Sequence, residues 1–255
     1  MDQKNSGTRV IERGNIYFFY RPKVGEEDPA GTEDIQRFHV ILAPKSGDRY
    51  RLLTIGRKTM PRVDNGNEKH WGFVDKVGTE PEDMVTVLER ETYTTKTRGT
   101  RERPEARPAG EGVYALVRHG DHTHLAYSLE LPRTQGEVQK DLHIEEEASY
   151  ILSVKNPEQP SPTEAGLRGT RKAKFPKRLQ ESFGDKRFSL ADPPELLDFE
   201  GAEFILMGGS SDPEQDLGIR LSPQKETAAS ADIFTDLHLE RERHPTRPLF
   251  EGRWT

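Results

Sequence analysis

The chain has 255 residues, enough for one large domain or two small ones, and its formal net charge at pH 7 is −6. This acidic balance argues against a protein dedicated to non-specific nucleic-acid binding. There is no cysteine, which excludes disulfides, thiol nucleophiles and cysteine metal ligands. The first residues contain no apolar segment typical of a secretory signal, and no apolar run approaches the roughly 20 residues of a membrane helix. We therefore expect a soluble cytoplasmic protein without membrane contacts.

Short apolar runs separated by polar segments predict a chain rich in β-strands. Hydrophobic residues make up only 32% of the sequence, but they are concentrated in runs rich in β-branched and aromatic residues. Turn-forming sequences such as Asn65-Gly66-Asn67 separate these runs. Strands are expected at 15–21, 38–43, 50–55, 71–77, 113–118, 123–131, 150–154 and 204–207.

Helices are expected to be few and short. Pro81 begins the clearest one, with acidic residues in its first turn, and a second is expected at 176–183 before Gly184. The pattern predicts an α+β, mainly β protein made of two small β units, barrel-like or sandwich-like, with long polar loops. The predicted boundaries are 8–97 for the first unit, 98–110 for a basic linker rich in proline and glycine, 111–210 for the second unit, and 211–255 for a largely flexible tail.

Positive charge is concentrated in two stretches, 96–107 and 168–178. Their arginine and lysine side chains could contact phosphate groups, which predicts at most a weak nucleic-acid contact through basic loops. Neither stretch alternates with aromatic residues that would stack on bases. Solvated loops are therefore the preferred interpretation of both stretches.

The tip of one predicted hairpin contains His119, His122 and His124. If Gly120-Asp121 forms a two-residue turn, His119 and His122 face each other and His124 projects from the same face as His122. Three imidazoles and a water are a common ligand set for a catalytic metal, so the hairpin could hold a divalent transition metal. Histidines at a hairpin tip are usually solvated, however, and Arg118 disfavours a bound cation. On that interpretation no cofactor is expected.

Residues 13–60 contain a second pattern, in which a Gly-Thr-Glu loop precedes Arg37 and a run of apolar residues. This segment resembles the opening of the MazF/PemK-like plasmid-maintenance toxins, where a Gly-Ser-Glu loop precedes Arg-Pro and a run of valines. The resemblance implies a small SH3-like barrel that cleaves single-stranded RNA. It also implies that Arg37 is the transition-state cation and Thr59 its polar catalytic partner. Here Asn15 replaces the usual acidic residue and Phe38 replaces the proline.

No pattern in the sequence is specific enough to assign catalysis. Arg37 could instead pair with Glu33 or Asp34 in an ordinary β-hairpin. The preferred interpretation is a soluble intracellular, non-enzymatic binding or scaffold module for an unknown protein or small ligand. The alternative is a metal-dependent enzyme that uses the histidine hairpin, and a less favoured one is a single-stranded RNA endonuclease that uses Arg37 and Thr59.

Overall fold

The computed structural model describes residues 7–47, 49–97, 99–162, 166–167 and 169–254. Most of the regular structure in these ranges is β. The strands are β1 (Thr8–Pro22), β2 (Ile35–Pro44), β3 (Tyr50–Ile55), β4 (Lys69–Gly78), β5 (Glu91–Thr95), β6 (Gly99–Arg103), β7 (Arg107–His119), β8 (His122–Leu131), β9 (Glu147–Lys155), β10 (Phe188–Leu190) and β11 (Glu203–Ser210). The helices are α1 (Pro81–Leu88), α2 (Glu137–Asp141), α3 (Lys177–Gln180), α4 (Pro213–Leu217), α5 (Asp232–Thr235) and α6 (Arg247–Glu251).

Eight antiparallel strands close into a β-barrel. Their order around the barrel is β9-β11-β4-β3-β2-β1-β7-β8, and pairing of β8 with β9 closes the ring. Strand β10 pairs with β9, while β5 and β6 form a separate two-stranded sheet. The predicted mainly β class with few short helices is confirmed.

A continuous apolar core fills the barrel interior. Because side chains alternate along a strand, Ile16, Phe18 and Tyr20 of β1 point inward, and each is 0% exposed. The two residues between them, Tyr17 and Phe19, point outward and belong to a different cluster. The interior is therefore packed with side chains, and ligand sites must be sought on the outer face or at the ends of the barrel.

A buried ionic network lies at one end of this interior. Arg51 of β3 is 3% exposed and binds two carboxylates, Glu12 Oε1 at 2.6 Å and Asp198 Oδ1 at 2.6 Å. The hydroxyl of Tyr114 donates to the same Glu12 oxygen at 2.7 Å. Every charge in the network has an opposite partner, which is the condition under which buried ions are tolerated.

The two predicted β intervals share one sheet. Strand β1 of the first interval pairs with β7 over twelve residue pairs, and β4 pairs with β11 of the second interval. Closing the barrel satisfies the edges that two separate small sheets would leave unpaired. The interval 98–110, expected as a linker, contains β6 and the start of β7; Arg98 lies outside the described residues.

The expected flexible tail also differs from the structure. Residues of 211–254 cover the outer face of the barrel in two places. One cluster packs Leu217, Ile219 and Leu221 on β7 and β8. The other packs residues of 231–249 with α1 on the outward side chains of β1 and β2. The apolar residues spaced through this polar segment are sufficient to hold it against the barrel. The sequence contains no long amphipathic pattern here that would predict the packing.

The longest helix in the described ranges has eight residues. No helix there has the length and apolar character needed to cross a membrane.

Candidate functional site

A cavity of about 270 Å³ opens on the outer face of the barrel, where β1 and β2 meet the end of α1 and β6. We call it the arginine pocket, because three of its lining residues are arginines. It is lined by Arg21, Gln36, Arg37, His39, Asp75, Val87 and Arg103.

Strand register explains why these side chains meet. Arg21 of β1 pairs directly with Arg37 of β2. Arg37 and His39 are two residues apart on one strand, so both point outward. The opposite wall comes from Val87 of α1 and Arg103 of β6.

Arg21 holds this wall in place. Its guanidinium donates to the backbone carbonyls of Val87 and Pro104, and to that of Glu89 at 3.1 Å. Burial, together with the charge of Arg103, lowers the pKa of Arg21 to about 10. The side chain is still protonated at neutral pH, so it contributes a fixed positive charge to the pocket.

Arg37 is the cation of the pocket that faces solvent. In the ranges that the structure describes it has no hydrogen-bond or ion-pair partner, and neither Glu33 nor Asp34 pairs with it. By contrast, Arg103 is bound to Glu91 at 2.7 Å. A cation that faces a cavity with no partner can bind an anion without first breaking an ion pair.

A hydrogen-bonded chain orients His39 within the pocket. The hydroxyl of Thr54 donates to Asp75 Oδ2 at 3.0 Å, and its oxygen lies 2.9 Å from His39 Nδ1. Because the hydroxyl proton is directed to Asp75, Nδ1 must carry the proton that bonds to Thr54. This tautomer leaves the lone pair on Nε2.

His39 is neutral in this environment. Burial, with the charges of Arg21 and Arg37, lowers the pKa of its imidazole to about 3. The pocket therefore combines three guanidinium groups with the uncharged imidazole of His39, and the side chains of Gln36 and Asp75 complete its polar lining. This combination suits an anion that also carries a hydroxyl or another hydrogen-bond donor.

The two residues implied by the toxin resemblance lie in different surroundings. Arg37 lines the pocket, whereas Thr59 is not one of its lining residues. The backbone carbonyl of Thr59 instead accepts a hydrogen bond from His70 Nδ1 at 2.8 Å. Sequence reasoning missed His39, although its position two residues after Arg37 on a predicted strand could have indicated a shared face.

The structure brings the three hairpin histidines together. His119 pairs with His122 across a turn at Gly120, which has a φ of +60°. The His124 ring centroid lies 6.0 Å from that of His119 and 6.4 Å from that of His122. His124 is 9% exposed, and burial, with the two neighbouring imidazoles, lowers its pKa to about 4.

The proximity of the three rings does not by itself identify a metal site. Across the described part of the chain, no three or more histidine, aspartate or glutamate side chains are arranged to hold a metal ion. Arg118, expected to disfavour a cation, pairs with Asp192 at 3.1 Å.

Carboxylates form a second ionisable group beneath residues 211–254. Glu111 is 0% exposed, and one of its oxygens accepts a hydrogen bond from the backbone N–H of Ile233 at 2.9 Å. Burial, with the nearby charges of Asp232, Glu130 and Glu226, raises the pKa of Glu111 to about 8. Cavities of about 510 and 440 Å³ adjoin this group at Glu130 and Glu226, but like charges surround Glu111, so the group does not suit an anion.

No family model matches this chain, and no curated protein or solved structure matches it either. The functional assignment must therefore come from the geometry of the site itself.

Proposed function

We propose that this protein is a non-enzymatic binding module whose arginine pocket binds the phosphate group of a ligand. The observation that supports this most directly is Arg37, a solvent-facing cation with no partner among the described residues, beside the charges of Arg21 and Arg103. Guanidinium groups bind phosphate through parallel, charge-assisted hydrogen bonds. A volume of about 270 Å³ accommodates a phosphate group and part of the molecule that carries it.

Isothermal titration calorimetry with inorganic phosphate tests this proposal. We expect binding that weakens as sodium chloride is added, because salt screens exposed charges. Arg37→Ala should reduce the affinity about tenfold or more, since hydrogen bonds to charged groups contribute about 1.5–3 kcal/mol.

Arg247→Ala is the matched control. Arg247 is exposed, pairs with Glu251 on α6 and lies outside the pocket. Equal phosphate affinity of the two variants and the unmodified protein would contradict the proposal.

A second candidate function is cleavage of single-stranded RNA, which the Asp75–Thr54–His39 chain beside Arg37 favours. In that reaction the 2′-oxygen bonds to the adjacent phosphorus and the bond from phosphorus to the 5′-oxygen breaks. His39 Nε2 accepts a hydrogen bond that orients the 2′-hydroxyl, Arg37 stabilises the charge on the phosphoryl oxygens, and water carries the proton lost by the 2′-oxygen to the departing 5′-oxygen. Equal cleavage of an RNA oligonucleotide by the unmodified protein and Arg37→Ala would exclude this function.

A further inference from the structure

Three partly exposed aromatic side chains lie on the barrel surface beside the arginine pocket. Trp71 and Phe73 are two residues apart on β4, and Phe188 is on β10. The ring centroids of Trp71 and Phe188 are 5.8 Å apart. We call these three residues the aromatic surface.

Two arginines stack on this surface. The guanidinium of Arg171 lies 5.7 Å from the centroid of Phe73, and that of Arg187 lies 5.7 Å from the centroid of Phe188. Arg171 belongs to the basic stretch 168–178, whose one aromatic residue, Phe175, packs against Phe183 and Phe199; Arg168 lies outside the described residues. The rings that stack with Arg171 and Arg187 belong to β4 and β10, respectively.

The aromatic surface and the arginine pocket lie on the same face of the sheet. His39 pairs with Thr54, and Thr54 pairs with Phe73, so the three residues form one row across β2, β3 and β4. Two strand spacings, or about 10 Å, separate the backbone of His39 from that of Phe73. Asp75 lines both the arginine pocket and a cavity of about 300 Å³ that contains Phe73, Arg171 and Lys172.

We propose that this face binds single-stranded RNA, with one phosphate in the arginine pocket and neighbouring bases on the aromatic surface. The inference rests on the phosphate-binding role proposed for the pocket. Aromatic rings interleaved with arginines bind nucleic acids by stacking on bases and contacting the backbone. His39 Nε2 accepts a hydrogen bond from a ribose 2′-hydroxyl, the group that distinguishes RNA from DNA.

The ligand is single-stranded because of how the rings are placed. Trp71, Phe73 and Phe188 are on the surface of a sheet, where they can stack on splayed bases but cannot reach bases stacked inside a duplex. The net charge of −6 does not oppose this, since binding depends on the local cluster of Arg37, Arg171 and Arg187.

Tryptophan fluorescence provides the test. The chain has two tryptophans, and Trp254 is 8% exposed, so Trp254→Phe leaves Trp71 as the reporter on the aromatic surface. We expect octauridylate to quench its emission and to bind about tenfold or more tightly than an inorganic polyphosphate of eight units. We expect tighter binding to octauridylate than to the corresponding DNA.

A matched pair of exposed arginines tests the site. Arg187→Ala removes a cation stacked on Phe188, whereas Arg241→Ala removes one stacked on Phe234, outside the aromatic surface. The first variant should weaken binding of octauridylate several-fold and leave binding of inorganic phosphate unchanged. The second should change neither.

The possible results separate the two proposals. If inorganic phosphate binds but octauridylate binds no more tightly than polyphosphate, the RNA proposal is overturned and the phosphate-binding function stands. If octauridylate binds in an Arg187-dependent manner but phosphate binding does not depend on Arg37, the aromatic surface is supported and the pocket's role is overturned. Equal affinity for RNA and DNA would overturn the assignment of RNA as the ligand.

Discussion

Two arginines on neighbouring strands, Arg51 of β3 and Arg37 of β2, have opposite environments. Arg51 is buried inside the barrel and is paired with Glu12 and Asp198 at 2.6 Å each. Arg37 is exposed at the rim of a cavity and has no partner in the ranges that the structure describes. The comparison shows how to interpret charge in this fold: a buried, paired charge holds the barrel together, while an open, unpaired one is available to a ligand.

The largest expected effect is the loss of stability when Arg51, the buried arginine of the comparison, is replaced. Arg51→Met removes the cation and leaves Glu12 and Asp198 without their partner. We expect the free energy of unfolding to fall by about 3–5 kcal/mol, measured by urea denaturation. Arg57→Met is the control, because Arg57 is 64% exposed and forms a surface ion pair with Glu68 at 3.2 Å. Equal destabilisation by the two variants would contradict a structural role for Arg51.

Glu111, a buried carboxylate that has no ion pair among the described residues, extends the comparison. The folded protein retains a proton on Glu111 up to about pH 8, while the unfolded chain releases it near pH 4.5. The free energy of unfolding therefore falls as the pH rises between these values. Glu111→Gln should raise the free energy of unfolding at pH 9, by up to roughly 4 kcal/mol, and change that free energy little at pH 4. Thermal unfolding at the two pH values measures this, and an equal effect at both would argue against a protonated Glu111.

Arg37, the exposed arginine of the first comparison, should contribute little to the free energy of unfolding. Arg37→Ala removes no hydrogen bond or ion pair of the described residues, so we expect the free energy of unfolding to change by at most about 0.5 kcal/mol. Urea denaturation of the same sample used for phosphate titration would separate loss of binding from loss of folding. A large destabilisation would show that Arg37 has a structural partner.

The smallest expected effect is a change in the pKa of His124 in the histidine hairpin. His119 is one of the causes that lower the pKa of His124, so His119→Ala should raise that pKa toward its ordinary value. An NMR titration of the imidazole resonances measures the change. An unchanged pKa would mean that burial and His122, without His119, set the charge of His124.

Strand patterns made much of this fold predictable. All eight predicted strands occur in the barrel, and the helix expected from Pro81 is present as α1. Of the strands that were missed, β5 and β6 are short and mostly polar, and β10 has only three residues. Strand β6 is stabilised by cross-strand contacts such as Arg103 with Glu91 and Tyr93, which depend on pairing rather than on a hydrophobic pattern.

The candidate site was harder to predict because its residues come from distant parts of the sequence. Arg37 was identified from a local pattern, but Arg103 joins it from 66 positions away and Asp75 acts through Thr54. The basic stretch 168–178 was interpreted as solvated because no alternating aromatic residues accompany it. Phe73, the ring under Arg171, is almost a hundred residues earlier in the chain. Strand pairing, and the packing of helices and loops on the barrel, bring such residues together, and no local sequence pattern indicates either.

The docking of residues 211–254 has a consequence for biosynthesis. The outward side chains of β1, including Tyr17 and Phe19, are covered by Ile233 and Leu237, more than 200 positions later in the chain. While the ribosome is still translating the intervening sequence, these rings have no cover. The outward apolar side chains of β1 therefore stay exposed in the nascent chain until residue 237 has been translated. This exposed apolar surface is a natural site for chaperone binding.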